Sequence, residues 1–192
     1  KTLVGSSTPL EVDLTNEQSI VEFFNDAGTL DHLIMPGSSI KVGPIKSLSS
    51  ADALYTLTCK FFGPYLAAKY ATLKQRGSIV LFSGTLSRRP SNNMTILSAT
   101  NGAVESLGRS LALELSPVRV NVISPGLVKE TAAYQNVGDD AKRAMFQNAM
   151  ANLPAKYVGS PNDIAHAVLF LITNPYTTGT VLDIDGGGVI SR

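Results

Sequence analysis

The sequence predicts an α/β domain in which a parallel sheet carries helices on both faces. Short apolar runs rich in β-branched residues alternate with longer segments of helical periodicity, and this alternation is typical of successive βαβ units. Most of the strand-like runs end at Gly, Pro, Ser or Asp, where chains commonly leave a sheet. Hydrophobic residues make up 44% of the 192 residues, which is enough for one sizeable core. We therefore expect a single domain over residues 1–192.

Each predicted element follows from its local pattern. Strands are predicted at Thr2–Val4, Leu10–Val12, His32–Met35, Ile79–Phe82, Val118–Ile123 and Thr180–Ile184. A helix should begin at Thr15, because Thr15 and Gln18 have capping-box spacing. Further helices are predicted over residues 51–74, 95–115, 139–151 and 161–173. Within the first of these, Gly63-Pro64 should bend or tighten the helix.

Composition excludes several classes of partner. The formal net charge is +1 with scattered basic residues, so no nucleic-acid surface is expected. No apolar run approaches the roughly 20 residues of a spanning helix, and the N-terminus has no signal-peptide pattern. The single cysteine, Cys59, suits a reducing compartment. We expect a cytoplasmic protein without membrane, nucleic-acid or metal partners.

Four motifs occur in a fixed order along most of the chain. They are Asp13-Leu14-Thr15, Val118-Arg119-Val120-Asn121-Val122-Ile123-Ser124-Pro125-Gly126, Gly159-Ser160-Pro161-Asn162-Asp163-Ile164-Ala165, and Thr178-Gly179 through Ile184-Asp185-Gly186-Gly187. Together they resemble the short-chain dehydrogenase/reductase family. The resemblance implies a Rossmann-type, doubly wound parallel sheet that binds NADP or NAD. It also implies hydride transfer between nicotinamide and a small-molecule carbonyl or alcohol.

The N-terminal region departs from the family pattern. Val4-Gly5-Ser6-Ser7 resembles the start of the glycine-rich turn that holds the pyrophosphate, yet Thr8–Asp13 already resembles the third strand. About 40 residues of βαβ structure are missing between them. We therefore suspect that a stretch of the gene product is absent between Ser7 and Thr8; the alternative is a shortened paralogue. Since that stretch would carry much of the cofactor site, we expect the molecule to be cofactor-free, and NAD cannot be distinguished from NADP.

The resemblance also implies which residues touch the cofactor. Matched to the family's motifs, the cofactor-binding positions are Gly5, Ser6, Asp13, Leu14, Gly37, Pro125, Gly126 and Val128. Gly37 lies in Met35-Pro36-Gly37-Ser38, which replaces the family's Asn-Asn-Ala-Gly. This replacement keeps one glycine for close approach of a cofactor.

The proton-transfer residues of the family are not at their usual places. By this register, Leu97 and Asn101 stand where the family has its Tyr and Lys, and Gly84 stands at the place of the Ser. Lys60 falls at the place of the family's Asn, so the cation and the amide are exchanged between two helices. We identify Lys60, Ser83 and Asn101 as the catalytic candidates.

Each candidate has a plainer interpretation beside the functional one. A buried Lys60 would have a lowered pKa suited to acid–base work; the plainer alternatives are that Lys60 is a solvated helix residue or that the site is inactive. Asn101 would hydrogen-bond cofactor ribose or backbone. Ser83 would polarise the substrate oxygen, or would be an ordinary strand-end serine.

Three further side chains are candidates above the same pocket. Arg88 and Arg89 could hold an anionic substrate, although such pairs are more often solvated. Tyr134 lies in the family's substrate-lid segment and could supply a phenol from another direction.

Two functions remain open from the sequence. The first is an NAD(P)-dependent oxidoreductase with an altered acid–base site. The second is a catalytically silent nucleotide-binding or oligomeric interaction protein. In either case the resemblance implies a homodimer or homotetramer, and small residues along one helix would permit close packing. They are Ala99, Gly102, Ala103, Ser106 and Ser110.

Overall fold

Four parallel strands form one sheet in the computed structural model, which describes residues 10–37, 39–131, 134 and 137–191. The strands lie side by side in chain order: β1 (Thr29–Ile34), β2 (Thr72–Phe82), β3 (Arg119–Pro125) and β4 (Val181–Ile184). Because parallel neighbours require crossover connections, helices lie between successive strands. They are α2 (Ser50–Leu57) and α3 (Gly63–Tyr70) between β1 and β2, α4 (Thr95–Glu114) between β2 and β3, and α5 (Asp139–Asn152) and α6 (Pro161–Thr173) between β3 and β4. Helix α1 (Glu17–Ala27) precedes β1.

The alternation of side chains along β2 separates two apolar layers. Ile79 and Leu81 belong to a buried cluster that also contains residues of α1, α3 and α4. Val80, which points to the opposite face, packs in a second cluster with Ala167 and Leu171 of α6. Successive strand residues face opposite sides of a sheet, so β2 is covered on both. The predicted parallel sheet with helices on both faces is therefore confirmed.

The segment predicted as one helix over residues 51–74 is built from three pieces. Between α2 and α3 the chain makes a single π-helical turn at Thr58–Phe62, directly before Gly63-Pro64. Helix α3 ends at Tyr70, and β2 begins at Thr72, earlier than predicted. The early part of β2 pairs with Thr29 and Leu30, and the register then shifts before pairing resumes at Ser78.

Two local predictions near the N-terminus were wrong. Residues 10–12 form no strand, and Leu10 and Val12 are exposed; a strand needs a hydrogen-bonded neighbour, and none of the described strands pairs with this segment. Helix α1 is capped by Asn16 rather than Thr15, because the Asn16 side chain accepts the amides of Gln18 and Ser19. The predicted strand Thr2–Val4 and the suspected gap after Ser7 lie outside the described residues.

Candidate active site at the carboxyl ends of the strands

Lys60 lies in the π-helical turn and reaches the end of β2. Its Nζ donates to the backbone carbonyl oxygens of Phe82, at 3.3 Å, and Ser83, at 3.2 Å. An ammonium has three N–H donors, and no third acceptor lies within hydrogen-bonding distance among the described residues. Burial lowers the pKa of Lys60 from its ordinary 10.5 to about 8. A half-buried amine with one free donor direction is therefore held at this strand end.

Asn101 meets the same strand end from α4. A Cβ added to Gly84 would lie 3.0 Å from the Asn101 Nδ2, so a glycine lets the helix and the loop approach closely. Asn101 is 2% exposed, and its Oδ1 is buried without a partner among the described residues. Buried polar atoms are normally paired. This oxygen is thus a buried acceptor that no described residue pairs.

Ser83 turns its side chain toward α4. The residue is 6% exposed, and its Oγ donates to Glu105 Oε1 at 3.2 Å. The structure thus brings Lys60, Ser83 and Asn101 to one two-residue segment, Ser83-Gly84. Glu105 is a member of this group that sequence reasoning missed. The available signal was a charged residue four positions after Asn101, on the buried stripe of an amphipathic helix.

Arg88 and Arg89 both form hydrogen bonds with other residues of the chain. The structure therefore differs from the expectation that the pair holds an anionic substrate. Arg88 donates to Asp183 at 2.7 Å and to the Ser124 hydroxyl at 2.8 Å. The hydrogen bond with Asp183 raises the pKa of Arg88 above its ordinary value. Arg89 donates to the Gly188 carbonyl and the Ser191 hydroxyl. The pair therefore ties the loop after β2 to β4 and the C-terminal turn.

Tyr134 is not placed as a proton-relay phenol. Burial raises its pKa above the ordinary 10, whereas a relay needs a phenol shifted toward neutrality. Its ring packs edge-on against Phe146, with the ring centroids 5.7 Å apart. The residue lines a cleft, and its role there is an apolar wall.

Several predicted cofactor positions line a groove along the carboxyl edge of the sheet. Leu14 and Gly37 line one cleft, and a second cleft of about 650 Å³ is lined by residues that include Pro125, Gly126 and Val128. Both clefts share Ile34 and Pro36, at the end of β1. Open α/β sheets bind ligands in the crevice outside the carboxyl ends of their strands.

The turn before α1 lies beside this groove. The Asp13 carboxylate accepts two hydrogen bonds from Thr15, one from the hydroxyl at 2.7 Å and one from the backbone amide at 2.8 Å. These hydrogen bonds lower the pKa of Asp13, which keeps an acceptor next to Leu14. The remaining predicted positions, Gly5 and Ser6, lie outside the described residues.

The described chain offers neither a metal cluster nor a membrane span. No group of three or more His, Cys, Asp or Glu side chains is arranged to hold a metal ion within the described ranges. Among the same residues, no helix is both long enough and apolar enough to cross a bilayer.

Comparison with known proteins identifies the family. A family model described as enoyl-(acyl carrier protein) reductase matches residues 1–188. A solved small-chain dehydrogenase in complex with NADPH is 43% identical, with a TM-score of 0.87, over 93% of this chain and 83% of that one. The short-chain dehydrogenase/reductase ucsE of Acremonium sp is 30% identical over 185 residues, which cover 91% of this chain and 70% of that protein.

Two further relatives match at lower sequence identity. The chain spans 65% of the length of the short-chain dehydrogenase/reductase ATR9 of Stachybotrys chlorohalonatus, to which it is 28% identical. The 3-oxoacyl-[acyl-carrier-protein] reductase of Mus musculus is 27% identical over 194 residues, covering 96% of this chain and 79% of that protein. By its motifs, its fold and these matches, the chain belongs to the short-chain dehydrogenase/reductase family.

Proposed function

We propose that this protein transfers hydride between a nicotinamide dinucleotide and a carbonyl or alcohol substrate, with Lys60 as the acid–base group. The observation that carries the proposal is the position of the Lys60 Nζ at the carboxyl end of β2. Two backbone carbonyls hold it there, and no other described residue accepts from its third N–H. By the register of the sequence motifs, Leu97 stands at the place of the family's Tyr. Its side chain is buried and cannot exchange a proton, so the proposal assigns this step to another group.

The residues at the strand ends fit a dinucleotide. The groove from Leu14 to Val128 follows the edge at which such folds bind nucleotides, and the unpartnered Asn101 Oδ1 suits a ribose hydroxyl. NADPH is the preferred form, because the solved relative that is 43% identical holds it. When bound, the cofactor supplies or accepts the hydride. Asp13, Leu14, Gly37, Pro125, Gly126 and Val128 would hold it, together with Gly5 and Ser6.

The lowered pKa suits Lys60 to exchange a proton in either direction. In reduction, the carbonyl oxygen gains its proton from the Lys60 ammonium, and the resulting neutral amine regains a proton from water. In oxidation, the amine accepts the alcohol proton. A pKa of about 8 leaves both protonation states populated near neutral pH. Lys60 therefore takes over the proton exchange that the family assigns to Tyr and Lys, and Ser83 contacts the substrate oxygen beside it.

A second candidate function is a silent nucleotide-binding or oligomeric interaction protein. The observation in its favour is that the Ser83 hydroxyl already donates to Glu105, so it does not polarise a carbonyl as the family's Ser does. Assembly into a homodimer or homotetramer fits both functions. Phe62 and Tyr65 support it, because their stacked rings, 5.6 Å apart, are 45% and 40% exposed on neighbouring helical turns.

The deciding experiment measures NADPH consumption and formation by the complete gene product. The panel should include 3-oxoacyl thioesters and their alcohols, because the mouse relative is named for that chemistry. Lys60→Met should lower kcat by at least about a hundredfold with little change in NADPH affinity. Reduction by the wild type should decline as the pH rises through about 8, because the ammonium is then lost.

The control is Lys46→Met, which removes an exposed lysine from the loop before α2 and should behave as the wild type. Normal turnover in Lys60→Met would exclude the role of Lys60. If the wild type binds NADPH but turns over nothing in the panel, the silent function is favoured instead.

A further inference from the structure

Glu105 is a carboxylate in the buried face of α4, 8% exposed. Its Oε1 accepts the Ser83 hydroxyl at 3.2 Å and the Ser87 hydroxyl at 2.6 Å. The Arg88 guanidinium lies 3.7 Å from the same oxygen. Three side chains of the loop after β2 therefore converge on one carboxylate oxygen, and the guanidinium balances its charge.

The direction of the Ser83 hydroxyl follows from counting protons. A serine hydroxyl has one proton and two acceptor lone pairs, whereas an ionised carboxylate can only accept. The hydrogen bond between them can therefore run only from Ser83 to Glu105. Once its proton is used in this way, Ser83 has only lone pairs to offer to any other group.

This direction determines which ligand the site matches. While Lys60 is protonated, an alcohol can accept from its free N–H and donate its own proton to Ser83 Oγ. A carbonyl can accept from Lys60 but has nothing to donate, so it gains one of these two contacts. A ligand that loses a polar contact in a closed site binds more weakly, because the protein atom stays unpaired.

We propose that Glu105 is a positioning residue that fixes the Ser83 hydroxyl as an acceptor and thereby makes the site favour the alcohol over the carbonyl. The proposal rests on the proposed function, in which Ser83 contacts the substrate oxygen. It assigns to Glu105 no contact with the substrate itself.

The test measures binding without turnover, on the carbonyl–alcohol pair that the wild type converts best. Calorimetry gives the dissociation constant of the alcohol with NADPH present and of the carbonyl with NADP⁺ present, two combinations that cannot react. Glu105→Leu should free the Ser83 proton and shift the ratio of the two constants toward the carbonyl by about tenfold. A purely structural role would weaken both ligands alike and leave the ratio unchanged.

Matched variants make the outcome specific. Glu105→Gln keeps an acceptor oxygen of nearly the same shape and should retain the wild-type ratio. In a Ser83→Ala background, Glu105→Leu should no longer change the ratio. Glu114→Leu removes an exposed carboxylate near the end of the same helix and should have no effect.

Two results would overturn the proposal. One is an unchanged ratio in Glu105→Leu. The other is a Ser83→Ala protein that binds the carbonyl more weakly and the alcohol as before. The proposal expects this variant to bind the alcohol more weakly and the carbonyl as before. This second result decides the matter if Glu105→Leu does not fold. A wild type that converts no pair would instead refute the proposed function, and this outcome is distinct because no ratio then exists to compare.

Discussion

The Nζ of Lys60 lies 3.2 Å from the backbone carbonyl oxygen of Ser83, and the same nitrogen is bound to the carbonyl of Phe82. The amine is thus held by backbone dipoles, and no carboxylate among the described residues pairs with it. Lys60 belongs to a π-helical turn, a feature that often marks functional sites. Its pKa therefore reflects burial without an opposing negative charge.

This burial predicts how stability depends on pH. The pKa of Lys60 is about 8 in the folded protein against an ordinary 10.5, so between these values the unfolded chain binds more protons. The contribution of Lys60 to the free energy of unfolding therefore rises with pH across this window. Below about pH 8 both states are protonated, and the cost of burying the charge is fully present.

Lys60→Met removes this cost. The variant should exceed the wild type in free energy of unfolding below about pH 8, and the excess should shrink as the pH approaches 10.5. Urea denaturation at several pH values measures the difference. Lys46→Met, at an exposed site, should give a difference that does not depend on pH. A pH-independent difference for Lys60→Met as well would show that Lys60 is not desolvated.

Much of the fold was predictable because long-range packing agrees with local pattern. Helix α4 and strands β3 and β4 were placed within two residues of their observed ends, since buried faces impose clear periodicities on them. The failure at residues 10–12 has the opposite cause. A run of alternating apolar residues indicates a strand only when a neighbouring strand supplies its hydrogen bonds, and a sequence pattern cannot show that neighbour.

The candidate site was predictable only in part. The register of the family resemblance indicates Lys60, Ser83 and Asn101, and the structure places them around one strand end. Glu105 was missed. The partners of Arg88 were missed too, because one of them, Asp183, is 95 residues away from Arg88 along the chain. The direction of a hydroxyl proton depends on such distant partners, so the sequence alone cannot predict it.

Gly63 is required where α3 meets the turn before α1. A Cβ added at Gly63 would lie 2.8 Å from the carbonyl oxygen of Leu14 and 2.9 Å from its Cβ. Gly63→Ala should therefore force the two segments apart and lower the free energy of unfolding by about 1–3 kcal/mol. Because the displaced residue follows the π-helical turn, Lys60 should shift and turnover should fall as well.

The matched control is Gly102→Ala in α4, where the added Cβ would have nothing within 4 Å. Alanine should stabilise that helix by up to about 1 kcal/mol. Denaturation curves of both variants give the comparison, and similar changes in the two proteins would contradict the close approach at Gly63.

Two buried asparagines, Asn101 of the candidate site and Asn121 in β3, should respond in opposite ways to replacement by leucine. Asn121 is 0% exposed; its Nδ2 donates to the Thr177 carbonyl at 2.9 Å, and its Oδ1 accepts the Thr180 amide at 3.2 Å. Asn121→Leu leaves the Thr180 amide unpaired, whereas the Thr177 carbonyl keeps the Arg119 guanidinium at 3.2 Å. The replacement should therefore cost about 1–3 kcal/mol. Asn101→Leu instead removes the unpartnered Oδ1, so without cofactor its free energy of unfolding should be unchanged or higher.

The same replacement at Asn101 should weaken cofactor binding, because it deletes the acceptor that we assign to the ribose. We expect the NADPH affinity to fall by about tenfold, the equivalent of one hydrogen bond, while Asn121→Leu should keep its affinity wherever it remains folded. Urea denaturation without cofactor and fluorescence titration with NADPH measure the two effects separately. A loss of stability in Asn101→Leu with unchanged NADPH affinity would mean that Asn101 serves packing alone. The cofactor would then not be the partner of its buried Oδ1.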